Sequence, residues 1–94
     1  MTQRKFDEEM IQDLYRALTD IDSPQSAALL LEDLCTRKEV EQMAQRLRAA
    51  RLLMEGKTYT QVIEQTNISS ATLSRVSRCV QYGEGYRKFV VPKE

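Results

Sequence analysis

Histidine is missing altogether from the 94 residues of this chain. That removes the commonest neutral-pH base in catalysis and the commonest nitrogen ligand of metals. Cysteine occurs only at Cys35 and Cys79, which form no C-x-x-C pair, so a metal site lacks its usual sulfur donors as well. Glycine and proline are scarce, at three and two copies. There is accordingly no glycine-rich phosphate loop and little room for hairpins. No apolar run approaches the roughly 20 residues that span a bilayer. The opening Met1-Thr2-Gln3-Arg4-Lys5 leads into acidic residues instead of an apolar core, so no secretory signal is read there. These absences predict a cytoplasmic protein with reduced, buried thiols, no catalytic residues, no metal and no cofactor.

Net charge is also absent, but the zero conceals an asymmetry. Residues 1–36 hold three basic and eight acidic residues, a net −5; residues 37–94 hold eleven basic and six acidic, a net +5. The basic part is where a polyanionic partner would bind. A chain of 94 residues allows a single domain with a modest core. Within it, residues 1–35 read as dimerising helices, 36–83 as a core helix with a paired-helix motif, and 84–94 as a tail. So short a chain gains burial by pairing with a copy of itself.

What is present has helical periodicity. Phe6, Met10, Leu14 and Leu18 recur every four residues, with Ile11 and Tyr15 beside them, and predict an amphipathic helix from Gln3 to Asp20. Ser23 and Pro24 then suit a cap and a first helical position. The helix from Pro24 to Cys35 is apolar almost all round (Ala27, Ala28, Leu29, Leu30, Leu31, Leu34), which reads as a helix caught between two protomers. Thr36-Arg37-Lys38-Glu39 has capping-box spacing and opens a third helix. Val40, Met43, Ala44, Leu47, Ala50 and Met54 are its expected inner face, and Gly56 its C′ residue. The tail from Tyr86 to Glu94 is expected either as a short turn of helix or as loose chain.

The informative stretch runs from Thr58 to Arg75 and has helix-turn-helix spacing. Thr58 caps the first helix, and Val62 and Ile63 face the core. Asn67 sits where the turn needs a left-handed residue, and Ile68 plugs the corner. Ser69 caps the second helix, Ser70 to Tyr82, whose inner side is Leu73 and Val76. Ser69, Ser70, Ala71, Thr72, Ser74, Arg75 and Arg78 are left for its exposed end and outer face. No acid interrupts them. Small residues permit close approach to a major groove, hydroxyls reach phosphates or base edges, and arginine pairs bidentately with guanine.

The segment from Thr36 to Arg78 resembles the Trp repressor family, and more closely its YerC/YecD-type branch. The matching pieces are Thr36-Arg37-Lys38-Glu39, Gln45-Arg46-Leu47-Arg48, Leu53-Met54-Glu55-Gly56 and Ala71-Thr72-Leu73-Ser74-Arg75. The resemblance implies an all-α fold of about five to six helices. It also implies an intertwined homodimer whose two reading heads meet adjacent turns of a palindromic operator, nucleoid-associated when bound. In that family two arginines sandwich the indole of tryptophan. Motif matching places them at Arg46 and Arg75, with Thr36 lining the same pocket. Val76 stands where the family has glycine, Cys79 where it has a serine that helps hold the ligand's amino group, and the connection after Gly56 differs slightly in length. A branched side chain in a ring-shaped slot overpacks it, so tryptophan is not expected to bind. Arg46 and Arg75 are then free to face phosphates or to pair with acids such as Glu39 or Glu64. Tyr59, Tyr82 and Tyr86 could stack on bases, but packing against the paired helices is the expected role.

The function expected is that of a DNA-binding transcriptional regulator, of repressor type, with no small-molecule effector identifiable. The alternative is a dimeric protein-interaction adaptor that keeps the scaffold and does not bind DNA specifically.

Overall fold

Six helices and no strand make up residues 2–90, the part of the chain described by a computed structural model; side chains are described from Arg4 onward. They are α1 (Thr2–Thr19), α2 (Pro24–Leu34), α3 (Arg37–Met54), α4 (Tyr59–Thr66), α5 (Ser70–Tyr82) and α6 (Gly85–Phe89). The chain divides into two compact units, residues 1–36 and 37–94.

In the first unit, α1 ends one residue before the predicted Asp20. The turn that follows is built from short polar side chains. Ser23 caps α2 by accepting from the Ser26 amide at 3.0 Å, Asp22 accepts from the Ser26 hydroxyl at 3.1 Å, and Pro24 occupies the first helical turn. Both helices are amphipathic or apolar, yet no described side chain from Arg4 to Thr36 is buried. Met10 keeps 60% of its surface and Leu29 70%. Two helices alone have too little surface to enclose such a stripe.

The second unit is organised around α3, against which α4, α5 and α6 all pack. Its core is Ala49, Ala50, Leu52, Val62, Ile68, Leu73 and Val76, flanked by Leu53, Ile63, Val80 and Tyr86. Ala49 and Ala50 are fully buried and present only a methyl group each, which lets the backbones of α4 and α5 come close. The inner face expected for α3 is thereby corrected. Of Val40, Met43, Ala44, Leu47, Ala50 and Met54, only Ala50 is buried, and Leu47 is half exposed. The helix carries apolar residues on two faces, and α4 and α5 take the one bearing the small residues.

The end of α3 has a Schellman arrangement. Gly56 has φ +89, its amide donates to the Leu53 carbonyl at 3.0 Å, and the Lys57 amide donates to the Leu52 carbonyl at 3.0 Å. At the far end of the unit, Gly83 closes α5; a Cβ there would stand 2.8 Å from the Cys79 carbonyl oxygen. Arg87 of α6 donates twice to the Gly83 carbonyl, at 3.0 and 2.8 Å, and so ties α6 back to this corner. The tail is therefore helical through Phe89, while residues 91–94 lie outside the described part.

Candidate nucleic-acid interface

The α4–α5 pair is assembled from local signals. Thr58 and Gln61 form a reciprocal capping box: the Thr58 hydroxyl accepts from the Gln61 amide at 3.2 Å, and the Gln61 side chain accepts from the Thr58 amide at 2.9 Å. Asn67 ends α4 with φ 61 and ψ 22, and its amide donates to the Ile63 carbonyl at 2.8 Å. Ile68 follows and is 2% exposed, which pins the corner against the core. Ser69 then caps α5 by accepting from the Thr72 amide at 3.2 Å.

Of the residues assigned to the reading surface, Ser70, Ala71, Ser74, Arg75 and Arg78 are exposed on α5. Leu73 and Val76 are buried on its other side. The alternation places the small and basic residues together on one face. Ser69 is exposed too, and it supplies the cap expected of it. Its hydroxyl also donates to the Thr72 hydroxyl at 2.9 Å. Thr72, half-buried, accepts that bond.

Beside this face lies an open cleft of about 570 Å³, lined by Arg46, Ala71, Thr72, Arg75, Val76, Cys79 and Tyr86. Arg46 of α3 and Arg75 of α5, matched to each other only through a family motif, thus border one space. Thr36, the third residue assigned to this pocket, belongs to the first unit. Ion pairs elsewhere in the chain join Arg16 to Asp13, Arg37 to Glu41 and Arg51 to Glu55.

Several other side chains differ from expectation. Cys79 is an exposed thiol on the cleft and Cys35 is half-buried, so neither is the enclosed thiol anticipated; each is free. Tyr59 and Tyr82 are exposed, and only Tyr86 packs against the core. Tyr86 also reaches the cleft, which its sequence neighbours in the glycine-flanked tail gave no periodic signal to reveal. Gln45 was legible only as part of a motif; its amide donates to the Thr66 carbonyl at 3.0 Å, from α3 to the end of α4.

A model of the Trp repressor protein family matches residues 9–94. YerC of Bacillus subtilis (strain 168), a protein of uncharacterised function, is 40% identical over 70 residues, which is 74% of this chain and 67% of YerC. A Trp repressor candidate from Staphylococcus aureus, known by its crystal structure, is 27% identical and superposes with a TM-score of 0.81 over 99% of both chains.

Proposed function

We propose that this chain, which belongs to the Trp repressor family, is a homodimeric repressor reading a palindromic operator through α5. Family and fold are those of helix-turn-helix DNA-binding regulators, not of enzymes. The observation that carries the finer reading is the outer face of α5. Ser70, Ala71, Ser74, Arg75 and Arg78 are exposed there together, without an acidic residue, on a helix whose first turn is fixed by a side-chain cap. Such a helix suits a major groove. Its first turn favours phosphate, its small residues allow close approach, and its arginines supply both charge and guanine-shaped donors.

Dimerisation rests on the first unit. Its apolar stripe lacks an enclosing core within residues 4–36, and fully covering one Leu, Met or Phe is worth roughly 1.5–3 kcal/mol. A second copy supplies that cover and a second reading head. The protein works in the cytoplasm, where the chromosome is within reach; among the described residues no helix is long and apolar enough to cross a membrane.

Tryptophan is not the corepressor in this reading. Val76, directly after Arg75, is 1% exposed at the floor of the cleft, where its branched side chain shapes the space, and a thiol at Cys79 accompanies it. A planar indole between the arginines then meets the valine methyls instead of an open slot.

The test is selection of binding sites from random duplex DNA at moderate salt. An enriched palindrome with half-sites about one helical turn apart is expected. Affinity for it should fall linearly in log–log form with salt, as phosphate contacts release counterions, and be indifferent to added tryptophan. Absence of any enriched site, with no salt-sensitive binding even at low ionic strength, would overturn the reading in favour of a protein adaptor.

A further inference from the structure

We propose that Gln45 is a positioning residue for DNA recognition: it fixes the angle at which the α4–α5 head stands on α3 and thereby sets the half-site spacing the protein accepts. The inference rests on the operator reading above. Its physical basis is the bond from the Gln45 side-chain amide to the Thr66 carbonyl, 3.0 Å long and spanning 21 positions of sequence.

The acceptor sits at a mechanically sensitive point. The last carbonyls of a helix lack intrahelical partners, and Thr66 is the last residue of α4. Its hydroxyl holds the turn on both sides, donating to the Val62 carbonyl at 2.7 Å and accepting from the Ile68 amide at 3.3 Å. Three hydrogen bonds thus meet at one residue, three positions before the cap of α5. Two are internal to the helix pair. The third, from Gln45, fastens the pair to α3.

The donor occupies a position that packing alone would have given to an apolar residue. Gln45, Ala49 and Leu52 fall on one face of α3 by helical spacing, and the latter two are buried. Alanine methyls define a distance of approach but little direction; smooth contacts allow one helix to rotate on another at small cost. A hydrogen bond is directional, and weakens steeply as its angle opens. Arg46, the next residue, faces the cleft beside α5. Adjacent residues of α3 therefore address the corner of the head and its reading helix. In the dimer proposed above, the first unit of each chain leads in sequence directly into α3, so rotation of a head on α3 translates into a change in head-to-head distance along the duplex.

The test compares wild-type protein with Gln45→Met, which keeps the side-chain length and volume and removes the donor. Amide hydrogen exchange in the free protein is read first. Exchange at Asn67 and Ile68 should accelerate about fivefold while the buried turns of α3 are unchanged, the factor expected for one lost hydrogen bond. Binding is then measured on the selected operator and on versions with one base pair added or removed between half-sites. Wild type should discriminate sharply among the three. Gln45→Met should bind them with similar affinities, with its salt slope and its affinity for random duplex unchanged, because no phosphate contact is lost. A merely structural role would lower all three affinities in parallel. Unchanged exchange at Asn67 and Ile68 would overturn the proposal, and so would accelerated exchange with spacing preference intact. If wild type selects no operator, the DNA reading fails first and the positioning role falls with it, while the exchange result still reports whether the bond holds the corner. Should Gln45→Met lose its helical circular dichroism, Gln45→Glu, isosteric and without the donor at neutral pH, carries the same expectations.

Discussion

Ser69 and Thr72 divide their work in a way that their shared hydroxyl chemistry conceals. Both are candidates for DNA contact, but the Ser69 hydroxyl also builds the cap, accepting from the Thr72 amide and donating to the Thr72 hydroxyl. The exposed residues separate further by chemistry. Arg78 lies two turns along α5 and is suited to phosphate; Ser70 and Ala71 sit in its first turn, where base edges come nearest. Arg78→Ala is expected to weaken operator and random duplex about equally and to shallow the salt slope by about one unit. Ser70→Ala or Ala71→Ser should instead change the preferred bases in a repeated site selection while affinity for random DNA survives. Equal, uniform losses at all three positions would show that anchor and reader have been wrongly divided. Asn67 is the other residue whose identity follows from its backbone: at φ 61 a side chain with Cβ is strained, and asparagine is among the few that tolerate it.

Among the helices, α4 and α5 were readable residue by residue because their boundaries are set by interactions spanning three or four positions: the Thr58–Gln61 box, the left-handed Asn67, the Ser69 cap. The inner face of α3 was misread for the opposite reason. Hydropathy ranks Met43 and Leu47 above Ala49, but a helix that must receive two others at close range needs small side chains there, and only the partner's position says which face that is. The expectation is that Ala49→Leu, which raises hydrophobicity, destabilises the protein by about 1–3 kcal/mol through overpacking. Urea unfolding at fixed protein concentration measures it, and a rise in midpoint would contradict the close-packing account of α3. The same substitution at half-exposed Leu47's neighbour Ala44, which is exposed, should be close to neutral.

For the molecule as a whole, the charge division and the two units coincide: the net −5 of residues 1–36 belongs to the unit with no buried side chain, and the net +5 to the unit with the core and the reading face. An acidic, apolar-striped pair of helices is a poor fit for DNA and a good one for a protein surface. Light scattering at micromolar concentration is expected to give about twice the 10.9 kDa of one chain. Met10→Glu, on the exposed stripe of α1, should shift that mass toward the monomer. It should also cost operator affinity about a hundredfold or more, since the second head no longer binds from an effectively high local concentration. A monomeric wild type, or a Met10→Glu protein that stays dimeric with full affinity, would refute the role given to that stripe.

By itself the sequence determined what depends on near neighbours: five helical segments, their caps and turns, and the acid-free outer side of α5, while the tail was left open between a turn of helix and loose chain. These are legible because backbone hydrogen bonds, caps and helical periodicity act within a few residues. Tertiary structure alone decided which face of α3 is inner, that Tyr86 lines the cleft bordered by Arg46 and Arg75, that Cys79 is open to solvent, and that Gln45 fastens the helix pair to α3. Those pairings join residues tens of positions apart. No local energy term encodes them, and they follow only when close packing selects one arrangement of the helices.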